Sequence, residues 1–215
     1  AMPMVQIQGW SDQVGEHYYG FDTRLDLSYR GGLSDEVMMY VRSPAWSYWR
    51  SHAFDAYDGR TWIQSDPSVE VWERDGALFD LNREGVLWLR EDYFVQTYAI
   101  VQPMPNLVFT AGNPIHLYIA ADEIGIDKTG GIRLGEPLRP GMVYSVMSLR
   151  QDYTPEELKS ATRNYPPDIA PYFQLSDTIT ERTWDLAQEL TQDAPTVYDL
   201  SLIHISEPTR LRRIS

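Results

Sequence analysis

The chain has 215 residues, 43% hydrophobic and 13% aromatic, with a formal net charge of −13 from 18 Lys and Arg against 31 Asp and Glu. Such a length and apolar content suffice for one large β-rich domain or two small ones, while the acidic balance excludes nucleic acid and gives no attraction to an anionic leaflet. The absence of cysteine rules out disulfides, thiolate metal sites and a cysteine nucleophile within these residues.

No run of about 18 apolar residues is present, and Ala1-Met2-Pro3-Met4 lacks the basic-then-apolar pattern of a signal peptide. Any segment that exports the protein is therefore expected outside this sequence, and residues 1–21 read as a lead-in. From there the pattern is that of strands broken by turns. Phe21, Thr23, Leu25, Leu27 and Tyr29 alternate with Asp22, Arg24, Asp26 and Ser28, the period of a half-buried strand that ends at Gly31-Gly32. Strands are predicted over 37–41 and 46–54, and the Asp58-Gly59 turn leads into Thr61-Trp62-Ile63. Further strands are predicted over 69–72, 86–89, 93–101, 107–110, 115–120 and 142–148, with 124–126 pairing 132–134.

At Arg150 the texture changes. Thr154-Pro155-Glu156-Glu157 supplies a cap, a proline at the first helical position and a glutamate at the third, predicting a helix that stops near Asn164 before Tyr165-Pro166-Pro167. A second helix is predicted to begin with Thr178-Ile179-Thr180-Glu181, to align Ile179, Leu186, Ala187 and Leu190 on one face, and to close at Asp193-Ala194-Pro195. The expected fold class is α+β, mainly β. An antiparallel β-sandwich or barrel-like domain over 22–150 would be followed by a short helical linker over 151–199.

The segment Tyr48-Trp49-Arg50-Ser51-His52-Ala53-Phe54-Asp55-Ala56-Tyr57-Asp58-Gly59-Arg60-Thr61-Trp62 resembles the YWRG…FD.YDGR.W signature of bacterial transglutaminase-like membrane proteins. Ser34-Asp35-Glu36-Val37, Pro105-Asn106-Leu107-Val108-Phe109 and Gly141-Met142-Val143-Tyr144-Ser145-Val146 fit the same pattern. So does the stretch from Tyr172 to Tyr198, whereas Ser51-His52 departs from the family's glycine and apolar residue. The resemblance, over roughly residues 22–199, implies a β-rich region on the extracytoplasmic face of a bacterial membrane, upstream of a papain-like core with Cys, His and Asp. That core performs acyl transfer or amide hydrolysis through a thioester, and none of its catalytic positions has a counterpart here. The implied partners are the core and membrane helices of the same chain and a protein or peptide substrate of the parent enzyme. No cofactor, metal or catalytic residue is expected in this region. Tyr48, Trp49, Arg50, Phe54, Asp55, Tyr57, Asp58, Gly59 and Trp62 would then be structural, and replacing Trp49 or Trp62 with Ala should cost about 3–5 kcal/mol.

Beyond Asp199 the sequence Leu200-Ser201-Leu202-Ile203-His204-Ile205-Ser206-Glu207-Pro208-Thr209-Arg210-Leu211-Arg212-Arg213 leaves the family pattern and resembles translated sequencing-adapter sequence. Its other reading is a disordered basic tail.

Other constellations have specific alternatives. Asp55 and Asp58 could be a carboxylate pair for glycoside hydrolysis, with Glu36 as a further candidate, or charges paired with Arg50 or Arg60 beside a turn. Trp46, Trp49 and Trp62 could form a sugar-stacking platform or fill a β core. His17, His52, His116 and His204 lack metal-ligand spacing. Asp127-Lys128-Thr129-Gly130 resembles the phosphorylated aspartate motif of cation-pumping ATPases, but its flanking residues favour a hairpin turn. A stand-alone extracytoplasmic carbohydrate- or protein-binding β module is the alternative to the accessory-region reading.

Overall fold

The computed structural model describes residues 23–26, 35–82, 92–150, 152–175 and 177–206. They fall into a β unit, within Ala1–Ala56 and Arg60–Gln151, and a helical unit, within Tyr57–Gly59 and Asp152–Ser215. The strands are β1 (Arg24–Asp26), β2 (Met39–Arg42), β3 (Trp49–Arg50), β4 (Ala56–Tyr57), β5 (Thr61–Ile63), β6 (Val69–Glu73) and β7 (Phe79–Asp80). They continue with β8 (Tyr93–Ile100), β9 (Leu107–Val108), β10 (Thr110–Ala111), β11 (Asn113–Tyr118), β12 (Glu123–Asp127), β13 (Ile132–Arg133) and β14 (Val143–Leu149).

Two sheets carry the core, with strand orders β2-β8-β14-β11-β7 and β6-β12-β13-β9. Every register defined within them is antiparallel. Along β8 the buried residues are Phe94, Gln96, Tyr98 and Ile100, and along β14 Tyr144, Val146 and Ser148 recur at the same period of two. Phe79, Tyr98, Leu117, Tyr144 and Val146 of the first sheet join Val108, Ile124 and Ile132 of the second in one apolar cluster. That shared core makes the unit a sandwich, and among the described residues neither strand order closes into a barrel. The register between β11 and β14 shifts between Pro114 and His116. Pro114 has no N–H for the ladder, which is why such a bulge is tolerated there.

Tyr98 and Tyr144 sit directly opposite each other on β8 and β14, their rings stacked at 4.7 Å and 9°. The Tyr144 hydroxyl accepts from the Phe109 N–H at 2.9 Å and donates to the Phe109 carbonyl at 3.2 Å. The Tyr98 hydroxyl has no hydrogen-bond partner among the described residues.

Several boundaries differ from the sequence reading. The strand predicted over 46–54 shrinks to β3, because the chain after Arg50 turns its polar groups onto the turn between β12 and β13 rather than onto a ladder. The strand predicted over 107–110 splits into β9, paired with β13, and β10, paired with β3. Of the strand read over 21–29, Arg24–Asp26 is observed and pairs with β5, Thr23 before it is a bend whose carbonyl accepts from the Gln64 N–H at 2.8 Å, and the other positions lie outside the described residues. Residues 1–21, 86–89 and 207–215, and with them His17, also lie outside.

The expectation that tryptophans of the signature fill the core is corrected. Trp46 is 82%, Trp49 40% and Trp62 39% exposed. Phe79, Tyr98 and Tyr144 occupy the core instead, because β8 and β14, and β7 at the edge of the same sheet, supply the interior face.

In the helical unit, α1 (Pro155–Ser160) has the predicted capping box. The Thr154 hydroxyl accepts from the Glu157 N–H at 3.3 Å, and the Glu157 carboxylate accepts from the Thr154 N–H at 2.8 Å. It ends four residues before Asn164, since Ala161 is already extended and Thr162 turns its hydroxyl toward the Asn164 N–H at 3.4 Å. A 3-10 helix covers Pro167–Phe173. The next helix, α2 (Glu181–Thr191), is capped by Thr180 rather than Thr178, with the Thr180 hydroxyl accepting from the Thr183 N–H. Helix α3 (Val197–Ser206) was not predicted; Thr196 caps it by accepting from the Asp199 N–H at 3.1 Å. Lys159 of α1 lies 3.9 Å from the Asp199 carboxylate and 5.9 Å from the Tyr198 ring.

Candidate functional site

The predicted signature segment leads to a buried polar knot in the β unit. Asp127 closes β12 and is 5% exposed. One carboxylate oxygen accepts from the Thr129 N–H at 2.9 Å, the Thr129 hydroxyl at 2.7 Å and the Gly131 N–H at 2.8 Å. This is how an aspartate fastens a tight turn, its side chain standing in for a backbone acceptor. The turn is completed by Gly130 at φ +78°, a left-handed position that suits glycine. Asp127-Lys128-Thr129-Gly130 is thus a hairpin turn, as its flanking residues predicted.

The other Asp127 oxygen accepts from the Gln64 amide nitrogen at 3.2 Å and lies 3.6 Å from Arg133 Nε. Gln64 is itself 3% exposed. Its nitrogen also donates to the Ala53 carbonyl at 3.0 Å and to the Thr129 hydroxyl oxygen at 3.3 Å, and its oxygen accepts from Arg133 Nη2 at 3.2 Å. A carboxylate can only accept and a guanidinium can only donate, so this surround fixes which way the amide points.

The signature residues close over the knot from one side. Arg50 donates through Nη2 to the Thr129 carbonyl at 3.4 Å, and the Ala53 N–H donates to the Thr129 hydroxyl oxygen at 3.2 Å. His52 packs edge-on against Phe54, with ring centroids 5.0 Å apart, and its Nδ1 lies 3.0 Å from the Ser51 hydroxyl. Gly131 has room for nothing larger: a Cβ there would collide with the Asp127 carboxylate and approach the His52 Cβ to 2.9 Å. The departure at Ser51-His52 from the family pattern therefore falls where the segment touches the turn.

Asp55 accepts from the Ser65 N–H at 2.7 Å and from the Ser65 hydroxyl, fastening the two arms of the segment that holds β4 and β5. Asp58-Gly59 turns between those strands with Gly59 at φ +97°. Tyr57 belongs to β4. On the outer surface Trp46 and Tyr48, 82% and 81% exposed, meet edge to face at 5.2 Å. Trp49 is held on β3 opposite Ala111, and Trp62 on β5 opposite Leu25.

The structure thus brings Arg50 to the knot, gathers Asp55 with Ser65, and leaves Tyr48 on the surface. Gln64, Thr129 and Arg133 were missed as members of one cluster. Asp127 and Thr129 carried a local signal as the turn ahead of Gly130-Gly131, and Arg133 lies in the same hairpin; Gln64 arrives from 63 residues away in the chain. Chemically the knot is a fastening, since its carboxylate already takes several donors. His116 approaches Asp80 at 3.8 Å, and among the described residues no three or more His, Cys, Asp or Glu side chains are placed to hold a metal ion.

Fold and site together define a mainly β domain in which Gln64, Arg133 and the signature segment meet on the buried carboxylate of Asp127 and the turn that it fastens. The family model described as the TgpA N-terminal domain matches residues 3–155, and the chain belongs to that family. The resemblance read from the signature segment, to a region preceding a transglutaminase-like core, agrees with this. No curated protein matches the chain. Among solved structures, the periplasmic domain of TgpA from Pseudomonas aeruginosa is similar at 18% identity and a TM-score of 0.42, over 74% of this chain and 50% of that one. The same domain bound to ethylmercury is similar at 16% identity and a TM-score of 0.46, over 84% of this chain and 58% of that one. The chain thus spans little more than half the length of those domains.

Proposed function

We propose that this chain is the non-catalytic extracytoplasmic region of a membrane-anchored, transglutaminase-like protein, and that it positions the catalytic core of the same protein relative to the membrane. The observation that carries the reading is the match of an N-terminal-domain family to residues 3–155. A helical unit follows from Asp152 and would serve as the link onward. The extracytoplasmic compartment is assigned through the family, TgpA of Pseudomonas aeruginosa having been solved as a periplasmic domain. With no cysteine in 215 residues, thioester chemistry has to come from residues beyond these. The signature residues Tyr48, Trp49, Arg50, Phe54, Asp55, Tyr57, Asp58, Gly59 and Trp62 are assigned a structural role, with Arg50 closing on Thr129 and Asp55 on Ser65.

Sequencing the source locus across the codon for Leu200 tests this reading. A frame that runs past Asp199 into a cysteine, a later histidine and aspartate, and then a membrane span supports it. A frame that ends as written, or enters an unrelated domain, overturns it.

The exposed pair Trp46 and Tyr48 favours a second reading, a stand-alone carbohydrate- or protein-binding module. Its test is a glycan array. Binding that disappears in Trp46→Ala/Tyr48→Ala while the melting temperature holds would support it, and no binding by the parent chain would remove the carbohydrate form.

A further inference from the structure

We propose that the apolar face of α2 is a docking surface, and that its occupant is an apolar groove rimmed by Lys and Arg on the catalytic core of the same protein. The proposal rests on the accessory-region reading above. Helix α2 has 11 residues and buries none of them. Trp184, Leu186 and Leu190 are 49%, 52% and 46% exposed. At about 100° per residue these three and Ala187 occupy roughly 160° of the helix, while Glu181, Asp185 and Glu189 line the other side at i, i+4 spacing. An isolated helix shorter than about 12–15 residues is marginal in water, so an uncovered one of this length gains from a surface against its apolar face.

Charge and size narrow the occupant. Residues 152–206 carry ten acidic and three basic side chains, a net −7 out of the −13 of the whole chain. A second copy would bring one acidic stripe against another, and an anionic lipid or phosphate surface would be repelled in the same way. A groove with basic residues at its rim meets both the apolar face and the stripe beside it.

One face of an 11-residue helix, about 16 Å long, falls far short of the roughly 800 Å² per partner that a stable bimolecular interface takes. A small contact of this kind is useful where the partner is tethered. Linkage through the same chain gives an effective concentration in the millimolar range, which a free partner does not have.

The test is amide hydrogen exchange in α2, compared between this 215-residue chain and the complete extracytoplasmic region read from the source locus. The expected result is exchange at least tenfold slower in the longer protein, lost in Leu186→Ser/Leu190→Ser and weakened in 0.5 M NaCl relative to about 50 mM. Both substitutions lie on exposed positions, so the β unit serves as the internal control for folding. Equal exchange in the two proteins overturns the docking. Protection that is insensitive to salt overturns the basic rim. Protection that already rises with concentration in the 215-residue chain makes a second copy the occupant and also overturns it. A locus without a catalytic core defeats the reading of function itself; a core present with α2 unprotected defeats only this inference.

Discussion

The side-chain amide of Gln64 donates to the buried carboxylate of Asp127 at 3.2 Å, joining two points 63 residues apart in the chain. Around that bond the signature segment and the turn between β12 and β13 become one piece. Both groups are almost wholly removed from water, so their donors and acceptors have to find each other.

Asp127→Ala should therefore be among the most damaging single changes, costing about 3–5 kcal/mol, the range for breaking a buried charge-assisted cluster by removing one partner. It removes the acceptor of the Thr129 and Gly131 N–H groups, one of the acceptors of the Gln64 amide and the carboxylate beside Arg133 at once. Urea unfolding at neutral pH measures it, and a loss under about 1 kcal/mol would show that the turn holds without its carboxylate.

Gly131→Ala and Gly76→Ala form a contrasting pair. The first drives a methyl group into the Asp127 carboxylate and the His52 Cβ, an overpacking expected to cost about 1–3 kcal/mol. At Gly76, φ is +63° and the space is open, so only the left-handed backbone is penalised, by about 1 kcal/mol. Thermal melts of the two variants should rank in that order.

Trp49→Ala should lower stability by only about 1–2 kcal/mol, since 40% of the residue already faces solvent. Phe79→Ala, at 1% exposure, should lower it by about 3–5 kcal/mol. Equal losses in the two variants would restore Trp49 to the core.

The stacked tyrosines yield a pH dependence. Burial pushes both hydroxyls well above their ordinary value near 10, and for Tyr144 the Phe109 backbone contact opposes part of that rise. In the folded chain they keep their protons where the unfolded chain has begun to lose them. Their contribution to stability is thus fully present below about pH 10 and falls away as pH rises beyond it. The midpoint of urea unfolding should drop between pH 9 and pH 11, and the drop should shrink in Tyr98→Phe/Tyr144→Phe. At neutral pH Tyr144→Phe should cost about 1–2 kcal/mol for its lost Phe109 bonds, whereas Tyr98→Phe should be close to neutral.

Much of this architecture could be read from the chain. Strict alternation made β8 and β14 legible, because a period of two has one structural meaning over seven or eight residues. Thr154 and Glu157 announced α1 through a local hydrogen-bond pattern. Asp58-Gly59 announced its turn through backbone conformation. The short pieces β3, β4, β7, β9 and β10 were harder, since two residues carry no period and exist as strands only by virtue of their neighbours.

The tryptophans show where composition misleads. An aromatic side chain on a strand fits either face of a pleated sheet, and which face becomes the interior depends on the second sheet. By itself the sequence determined the mainly β class, the helices after Arg150, the absence of thiol chemistry and the signature that ties the chain to its family. Only the tertiary structure decided that Trp46 and Tyr48 face outward, that Gln64 reaches Asp127 across 63 residues, and that α2 buries none of its residues. The reason is physical: local patterns encode period and caps, whereas burial and long-range pairing depend on which surfaces meet.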